Sequence, residues 1–205
     1  MSRLLHSFEA VDALAPEAVA GPGAVLPHAD AGHTARLRAG ESAALGEIYD
    51  LHHGDLRRFA VRLLGDGVAA EDLVHDVFLA LPRALRGFRG DCTLRTFLMS
   101  VAVNHARKYV RAAGRRRNAL ARYAELPTAR PLTADVDAER RQAVETLRTG
   151  LERLPLQQRI AFVLCEVEQH SAAEAARIMD VPEATARTRA FHARRKLRQW
   201  LEERA

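Results

Sequence analysis

The chain has 205 residues, of which 48% are hydrophobic and 5% aromatic, and its formal net charge at pH 7 is +5. This length allows one large or two small domains with buried cores, and the shortage of aromatic residues and alternating apolar patterns argues against a sheet protein. No apolar run reaches the ~20 residues of a membrane-spanning helix and no signal-peptide pattern is found, so we expect a soluble, cytoplasmic protein without membrane insertion.

The charge is distributed unevenly along the chain. Residues 41–91 carry nine acidic and six basic side chains, whereas residues 92–124 carry eight basic and no acidic ones. Such a basic segment favours a polyanionic partner. The two cysteines, Cys92 and Cys165, are too few and too far apart for a disulfide framework or a metal cluster.

Residues 1–33 are rich in alanine, proline and glycine, and this composition predicts a flexible N-terminal arm. Apolar residues then recur at three- and four-residue steps, which predicts helices over about 45–64, 69–85 and 93–117. Together these three or four helices would form a first domain over residues 34–117.

Two residues are expected to disturb these helices. Gly54 marks a possible break in the first, and Pro82 should kink or end the second because it removes the hydrogen bond to the Phe78 carbonyl. The third helix has a predicted core stripe of Leu94, Leu98, Val101, Ala102, His105 and Tyr109.

A second domain is predicted over residues 141–205, after a flexible linker over 118–140 in which the periodicity fades. Ser171 and Glu174 have the spacing of a capping box, which starts a short helix. A turn at Asp180 and a proline that suits a first helical turn, Pro182, then lead into another helix. The fold class is therefore all-α, with two small helical domains, the second containing a helix-turn-helix.

Both domains present polar and basic side chains suited to nucleic acid. In the third helix, Asn104, Arg107, Lys108 and Arg111 fall within a narrow arc and Phe97 lies at its edge. In the last helix the candidates for phosphate and base contacts are Thr185, Arg187, Thr188, Arg189, His192, Arg194 and Arg195. Solvated helix faces, and packing of Phe97 against a neighbouring helix, are the structural alternatives.

Metal and enzyme chemistry are both disfavoured. His52, His53 and His75 are the likeliest histidine group near acids, but histidines on amphipathic helices are usually structural or surface residues. No phosphate loop, nucleophile elbow, zinc-helix motif or dinucleotide fingerprint is present. We therefore expect no catalytic activity, no metal site and no cofactor.

Several segments of both domains resemble known sequence motifs. The first domain resembles region two of the extracytoplasmic-function sigma factors, part of the sigma-70 family, at Ala70–Leu79, Phe88–Asp91, Leu94–Leu98 and Ala102–Val110. The second domain is similar to their region four at Leu151–Pro155, Glu166–Glu168, Ile178–Pro182, Thr185–Arg189 and Ala193–Arg195. The details look closest to the envelope-stress branch.

The resemblance implies an alternative sigma factor that binds core RNA polymerase, recognises the minus-35 and minus-10 promoter elements and promotes melting. It implies docking on the clamp helices and flap of polymerase, with Glu71, Asp72, His75, Asp76 and Phe78 at the clamp helices. It also places Phe88 and Asn104 at a pocket for an unstacked minus-10 base. Phe97, Arg107, Lys108 and Arg111 would then hold that strand, and the basic residues of the last helix would read the minus-35 duplex.

An anti-sigma partner is a further implication of the resemblance. Three residues depart from the family pattern: Phe97 stands where tryptophan is usual, Pro82 falls within the docking helix, and Ala184 replaces a glycine. The main rival hypothesis is a stand-alone helix-turn-helix regulator, which would bind duplex operator DNA without polymerase.

Overall fold

A computed structural model describes residues 28–120 and 138–204, and within these ranges every regular element is a helix. The chain divides into two compact units. We call their described parts the N-terminal domain, residues 28–120, and the C-terminal domain, residues 138–204. The predicted all-α class with two small helical domains is confirmed.

The N-terminal domain has four helices: α1 His28–Arg38, α2 Ser42–Leu64, α3 Gly67–Ala84 and α4 Leu94–Leu120. Helices α2, α3 and α4 pack on one another, and α1 lies along α2. The core that they share includes Ile48, Phe59, Leu63, Val74, Leu81, Leu85, Leu94, Leu98 and Met99, each almost fully buried.

The buried face of α4 differs from the predicted stripe. Leu94, Leu98 and Ala102 are buried as expected, but His105 is half-buried and Tyr109 is 38% exposed. Met99, Val103 and Ala106 are buried too. The buried face thus includes the residues that directly follow Leu98, Ala102 and His105. A helix packed between two neighbours buries a wider arc than one line of side chains.

Gly54 does not break its helix, whereas the helix that contains Pro82 ends shortly after it. Helix α2 continues through Gly54, and α3 continues two residues beyond Pro82 before a 3-10 turn at Leu85–Gly87. A glycine costs a helix only about 1 kcal/mol, less than burial of the α2 face contributes. Helix α3 begins earlier than expected because the Asp66 side chain accepts hydrogen bonds from Val68 N and Ala69 N, at 2.8 and 3.4 Å.

Helix α1 extends into the predicted arm. It begins at His28, and within it Asp30 and Thr34 are buried. The Asp30 carboxylate lies 3.4 Å from His52 Nε2 of α2, which helps to hold the start of α1. The prediction of a flexible arm to residue 33 is therefore wrong for residues 28–33, and the rest of the predicted arm lies outside the described residues.

The C-terminal domain consists of α5 Ala138–Glu152, α6 Leu156–Phe162, a π turn Val163–Val167, α7 Ala172–Met179 and α8 Glu183–Glu202. Helix α8 packs on the other three through a buried face, whose residues are Ala186, Ala190, Ala193, Leu197 and Trp200. Helices α4 and α5 each take three residues from the ends of the predicted linker, and the remainder of that linker lies outside the described residues.

The helix-turn-helix forms as its local sequence predicts. Ser171 N donates to Glu174 Oε2 at 2.9 Å and Glu174 N donates to Ser171 Oγ at 3.2 Å, so the capping box at the start of α7 is confirmed. Asp180 turns the chain with a left-handed backbone, φ 50°. Pro182 caps α8 and the helix itself begins at Glu183, one residue after the predicted start.

Among the described residues, no helix is long and apolar enough to cross a membrane. Cys92 and Cys165 are both partly buried, and neither forms a disulfide bond. Burial, and with it the neighbouring Glu166 carboxylate, raises the pKa of the Cys165 thiol, while Arg194 acts in the opposite direction. The Cys165 thiol is thus neutral at pH 7.

Candidate functional site

An acidic face runs along the outer side of α3. Its carboxylates belong to Glu71, Asp72 and Asp76, and His75 lies between them, all four exposed. They share one side of the helix because residues three and four apart lie over one another. The structure therefore brings together four of the five residues predicted to contact polymerase.

Glu71 is the member of this acidic face with a defined position. Its carboxylate accepts from Arg57 Nε at 2.6 Å and lies 2.9 Å from His53 Nε2, both on α2. The hydrogen bond with His53, and then that with Arg57, hold the pKa of the Glu71 carboxyl below its usual value. Glu71 thus stays ionised, but the neighbouring Arg57 offsets part of its negative charge. Asp72 and Asp76 therefore supply most of the negative charge that this face offers to a partner.

Phe78 does not belong to the exposed face. It is 4% exposed and its ring centroid lies 4.8 Å from that of Tyr49, so its predicted direct contact with polymerase is corrected to a packing role. Helix α3 presents apolar surface at two other positions instead, Val68 and Leu79, which are 74% and 63% exposed. Val68 and Leu79 are spaced three or four residues from Asp72 and Asp76, so they lie on the same side of the helix and not on its buried side. This spacing is the sequence signal that could have identified them.

A line of polar and basic residues occupies one face of α4. Asn104, Lys108 and Arg111 are exposed there, Arg107 is half-buried, and Phe97 lies two turns before Asn104. Arg107 Nη1 donates to Asn104 Oδ1 at 3.4 Å, and Arg111 Nε donates to the Arg107 carbonyl at 3.1 Å. The side chains predicted to hold a strand are therefore gathered along about 20 Å of one helix.

Phe88 lies beside Phe97, at one end of this line of residues. The two ring centroids are 4.7 Å apart, and Phe88 is only 6% exposed. The prediction that Phe88 offers a free stacking face is therefore wrong for this structure, in which the ring packs against Phe97. Asn104, about 10 Å further along the axis, is the exposed member of the predicted pocket.

The outer face of α8 exposes three of the seven residues predicted to read duplex DNA. Arg187, Thr188 and Arg195 are exposed, whereas Thr185, Arg189, His192 and Arg194 are half-buried. Arg187 pairs with Glu183 one turn earlier, and the Thr188 hydroxyl donates to the Ala184 carbonyl at 2.8 Å. A helix presented by a helix-turn-helix with this face outward has the dimensions to enter a major groove.

Two of these arginines are held by other parts of the domain. Arg194 forms an ion pair with Glu166 of the π turn, and Arg189 Nη1 donates to Gln157 Oε1 of α6 at 3.2 Å. The sequence separations are 28 and 32 residues, so the helical pattern of α8 alone could not reveal them. Arg195 is thus a better candidate than Arg194 for a DNA contact.

Phe191 is a further candidate that the charge pattern does not identify. It is 55% exposed at the centre of the outer face of α8, beside His192, whose ring centroid lies 5.6 Å away. It falls between Thr188 and Arg195 on the helix and out of phase with the buried alanines. An exposed aromatic ring among basic residues can contact a thymine methyl or a sugar.

The three histidines considered for a metal site point to different partners. His52 contacts Asp30, His53 contacts Glu71, and His75 is exposed on α3. Over residues 28–120 and 138–204, no three histidine, cysteine or acidic side chains come together to hold a metal ion.

The fold and these faces define a class of protein when compared with known families. Residues 48–116 match the family model described as Sigma-70 region 2, and residues 145–197 match that described as Sigma-70, region 4. The two matches cover the N- and C-terminal domains in turn. The chain is thus of the sigma-70 class of transcription initiation factors.

Curated relatives define the family more closely. The chain is 36% identical over 181 residues to the ECF RNA polymerase sigma-E factor of Escherichia coli K12, covering 78% of this chain and 87% of that protein. It is 31% identical to the ECF sigma factor SigM of Mycobacterium tuberculosis strain Erdman, covering 78% of each. The chain belongs to the extracytoplasmic-function sigma factors and is an alternative sigma factor for transcription initiation.

Two solved structures share the fold. The sigma factor RpoE of Bartonella quintana, in complex with the anti-sigma factor NepR, has a TM-score of 0.63 and 23% identity, covering 77% of this chain and 96% of that one. CnrH, in complex with the cytosolic domain of CnrY, has a TM-score of 0.60 and 24% identity, covering 86% and 99%. At these identities the likeness concerns the fold.

Proposed function

We propose that this sigma factor binds core RNA polymerase, brings it to promoters with minus-35 and minus-10 elements, and holds the opened minus-10 strand. The observation that carries this proposal is the face of α4, where an aromatic ring, an amide and three cations follow one another: Phe97, Asn104, Arg107, Lys108 and Arg111. Aromatic and amide groups suit an unstacked base, and cations suit the phosphates beside it. The proposed role is binding, with no bond made or broken by the chain.

The acidic face of α3 is the proposed contact with the polymerase clamp helices. Asp72 and Asp76 supply exposed negative charge, and Val68 and Leu79 supply apolar surface beside them. A surface of this mixed kind gains affinity from the burial of its apolar residues and orientation from its charges. The docking of region four on the flap is part of the same proposal.

Opening of the minus-10 element would use the loop that follows α3 together with α4. Phe88 packs on Phe97 and so forms a wall of the proposed pocket rather than a free platform. Asn104 has both a donor and an acceptor with which to read the edge of an unstacked base. Lys108 and Arg111 continue along the axis in the direction that a single strand would follow.

The outer face of α8 is the proposed reader of the minus-35 duplex. Arg187, Thr188, Phe191 and Arg195 are its exposed members. Arginine pairs with guanine through two hydrogen bonds, whereas the phenylalanine ring suits apolar groups in the groove. Four half-buried residues flank this set: Thr185, Arg189, His192 and Arg194. Arg189 would orient the helix through its partner on α6, and Arg194 through its partner on the π turn.

An anti-sigma factor is the further proposed partner. Each of the two solved structures compared above holds a second protein, named as the anti-sigma factor NepR in one and as the cytosolic domain of CnrY in the other. The exposed apolar residues Val68 and Leu79 on the acidic face would be covered in such a complex, which would block polymerase. The proposed compartment of all these partners is the cytoplasm.

The proposal is tested by adding the purified chain to sigma-free core polymerase, then following opening of promoter fragments with a fluorophore that reports base unstacking at minus-10. Asn104→Ala should leave core affinity unchanged and reduce opening about tenfold or more, since a bidentate base contact is worth about 1–3 kcal/mol. Ser42→Ala, which removes an exposed polar group in the same domain outside α4, is the matched control.

Two results would count against the proposal. Equal promoter opening by Asn104→Ala and Ser42→Ala would rule out the α4 face as the surface that holds the opened strand. A chain that ignored core polymerase but bound duplex DNA alone, with affinity falling steeply as salt is added, would instead be a stand-alone helix-turn-helix regulator.

A further inference from the structure

Arg38, the last residue of α1, reaches across the N-terminal domain to the loop that follows α3. Its Nε donates to the Leu85 carbonyl at 3.2 Å, and its Nη2 donates to the Phe88 carbonyl. The guanidinium carbon lies 5.7 Å from the centroid of the Phe88 ring. One side chain therefore binds both ends of a four-residue segment and covers the ring that this segment carries.

These two carbonyls are groups for which an arginine is well suited. The Leu85 carbonyl stands at the end of α3, where helical carbonyls lose their intrahelical partners, and it also accepts from Phe88 N at 3.2 Å. Arginine presents its donors in a rigid planar fork, which fixes two acceptors relative to each other. Lysine has a single ammonium group on a flexible chain and cannot hold both carbonyls at that spacing.

The helix that carries Arg38 is itself fixed to α2. His33 Nε2 lies 3.0 Å from Glu47 Oε2, and Asp30 contacts His52. Arg36 donates to Glu41 at 2.8 Å and to Glu47 at 2.7 Å. Because α2 also packs against α3 and α4, Arg38 connects the loop to the part of the domain that the core holds rigid.

We propose that Arg38 is a positioning residue, which sets the backbone of the Phe88 loop so that the Phe88–Phe97 wall and Asn104 can receive one unstacked promoter base. This inference rests on the proposed function of the α4 face. It adds to that function a residue from a different helix, 50 positions before Phe88 in the chain. The residue acts through the loop and does not itself touch the base.

The first test examines the loop itself. Hydrogen exchange of the full chain is measured over residues 85–93 for wild type, Arg38→Ala, Arg38→Lys and the control Arg58→Ala, which removes an arginine of α2 that pairs with Asp55 of the same helix. Both Arg38 variants should exchange several-fold faster in this loop than the control. Unchanged exchange in both would overturn the proposal, whether or not the chain opens promoters.

The second test examines base selection by the polymerase complex. Arg38→Ala and Arg38→Lys should both lower opening about tenfold and reduce the discrimination against a substituted minus-10 base, while core affinity stays at the wild-type value. Combining Arg38→Ala with Phe88→Ala should cost little more than Phe88→Ala alone, because the two residues act through one loop.

The outcomes separate Arg38 from the rest of the site. Full opening by Arg38→Lys, or losses that multiply in the double variant, would mean a direct phosphate contact and would overturn the positioning role. If Asn104→Ala loses opening while Arg38→Ala matches the control Arg58→Ala, the role of Arg38 fails and the α4 site stands. Equal loss of core affinity by Arg38→Ala and Arg38→Lys would mark the residue as structural and would overturn the proposal as well.

Discussion

His105 lies half-buried on α4 between charges of opposite sign. Burial, and then the charge of Lys108, lower the pKa of its imidazole from the ordinary 6.5, while Asp76 on α3 acts to raise it. The neutral ring is therefore favoured in the folded domain. Since the unfolded chain binds a proton on this residue at higher pH than the folded chain does, His105 destabilises the fold as the pH falls below about 6.5.

This linkage predicts a pH dependence that one substitution reduces. Between about pH 7.5 and 5.5, the Tm of the N-terminal domain should fall by about 1–3 °C less in His105→Gln than in wild type, a modest difference because the side chain is only partly buried. Thermal unfolding followed by circular dichroism at each pH measures it. Parallel Tm curves for the two proteins would contradict the prediction.

Residue by residue, the sequence predicts exposure better than it predicts partners. Asp72, Asp76 and Asn104 are exposed as expected, because their phase on each helix opposes the apolar stripe. Phe78 and Phe88 are buried against rings on other elements, Tyr49 and Phe97. A helical wheel shows which way a side chain points but not which neighbouring element covers it.

Gly150 of α5 lies directly against side chains of α8. A Cβ added at this position would lie 2.9 Å from Trp200 Cζ3 and 3.0 Å from Leu197 Cδ2. Trp200 has little room to move, since it is 9% exposed and the Arg204 guanidinium lies over its ring at 4.7 Å. Close packing of these helices thus depends on the absence of a side chain at residue 150.

Gly150→Ala should therefore lower the free energy of unfolding of the C-terminal domain by about 1–2 kcal/mol, because overpacking outweighs the better helix propensity of alanine. Denaturant unfolding followed by the fluorescence of Trp200, the single tryptophan of the chain, reports on that domain. Gly46→Ala in α2, where an added Cβ meets nothing within 4 Å, is the matched control and should leave the Trp200 transition unchanged. It should stabilise its own domain by about 0.5–1 kcal/mol, which circular dichroism measures. A Gly150→Ala protein as stable as wild type would refute this account of the contact.

The sequence predicts a helix end when neighbouring residues determine it. It does not predict where a helix continues because of packing against other helices. The capping box at Ser171 forms because its donors and acceptors lie within four residues. Helix α3 passes Pro82 because its buried residues pack on α2 and α4, which outweighs the one lost hydrogen bond. Propensity is a weak guide wherever packing acts on the same residue.

At the scale of the whole molecule, the proposed clamp-helix contact and the proposed minus-35 contact lie on separate domains, so substitutions in one should leave the other intact. Asp72→Arg should reduce affinity for core polymerase by about tenfold through charge reversal on the acidic face. Arg195→Ala should leave core affinity unchanged, weaken promoter binding by the polymerase complex, and lower its salt slope by about 1 if Arg195 contacts a phosphate. Core-binding titrations and promoter-binding isotherms at several salt concentrations measure both. Loss of core affinity in Arg195→Ala would show that the surfaces are not independent.

The order of the two domains and their helical class follow from periodicity and motif spacing, which are features of the chain itself. The contacts of Arg38 and Arg194 span 47 and 28 residues, and no spacing rule connects such positions. Three-dimensional coordinates are needed where a side chain acts on an element far along the chain. For that reason the sequence predicts the two helices proposed to face DNA but not the distant residues that contact them.

The π turn at Val163–Val167 is a place where this domain could lose a residue. In it Glu168 N donates to the Val163 carbonyl, five residues back, at 2.9 Å, so the turn holds one residue more than an α-helical turn. Deleting one residue there restores ordinary helical bonding and keeps the flanking segments in phase. The same deletion within α8 would rotate every later side chain by about 100°. A single-residue deletion can thus be absorbed beside the helix-turn-helix without rotating the outer face of α8.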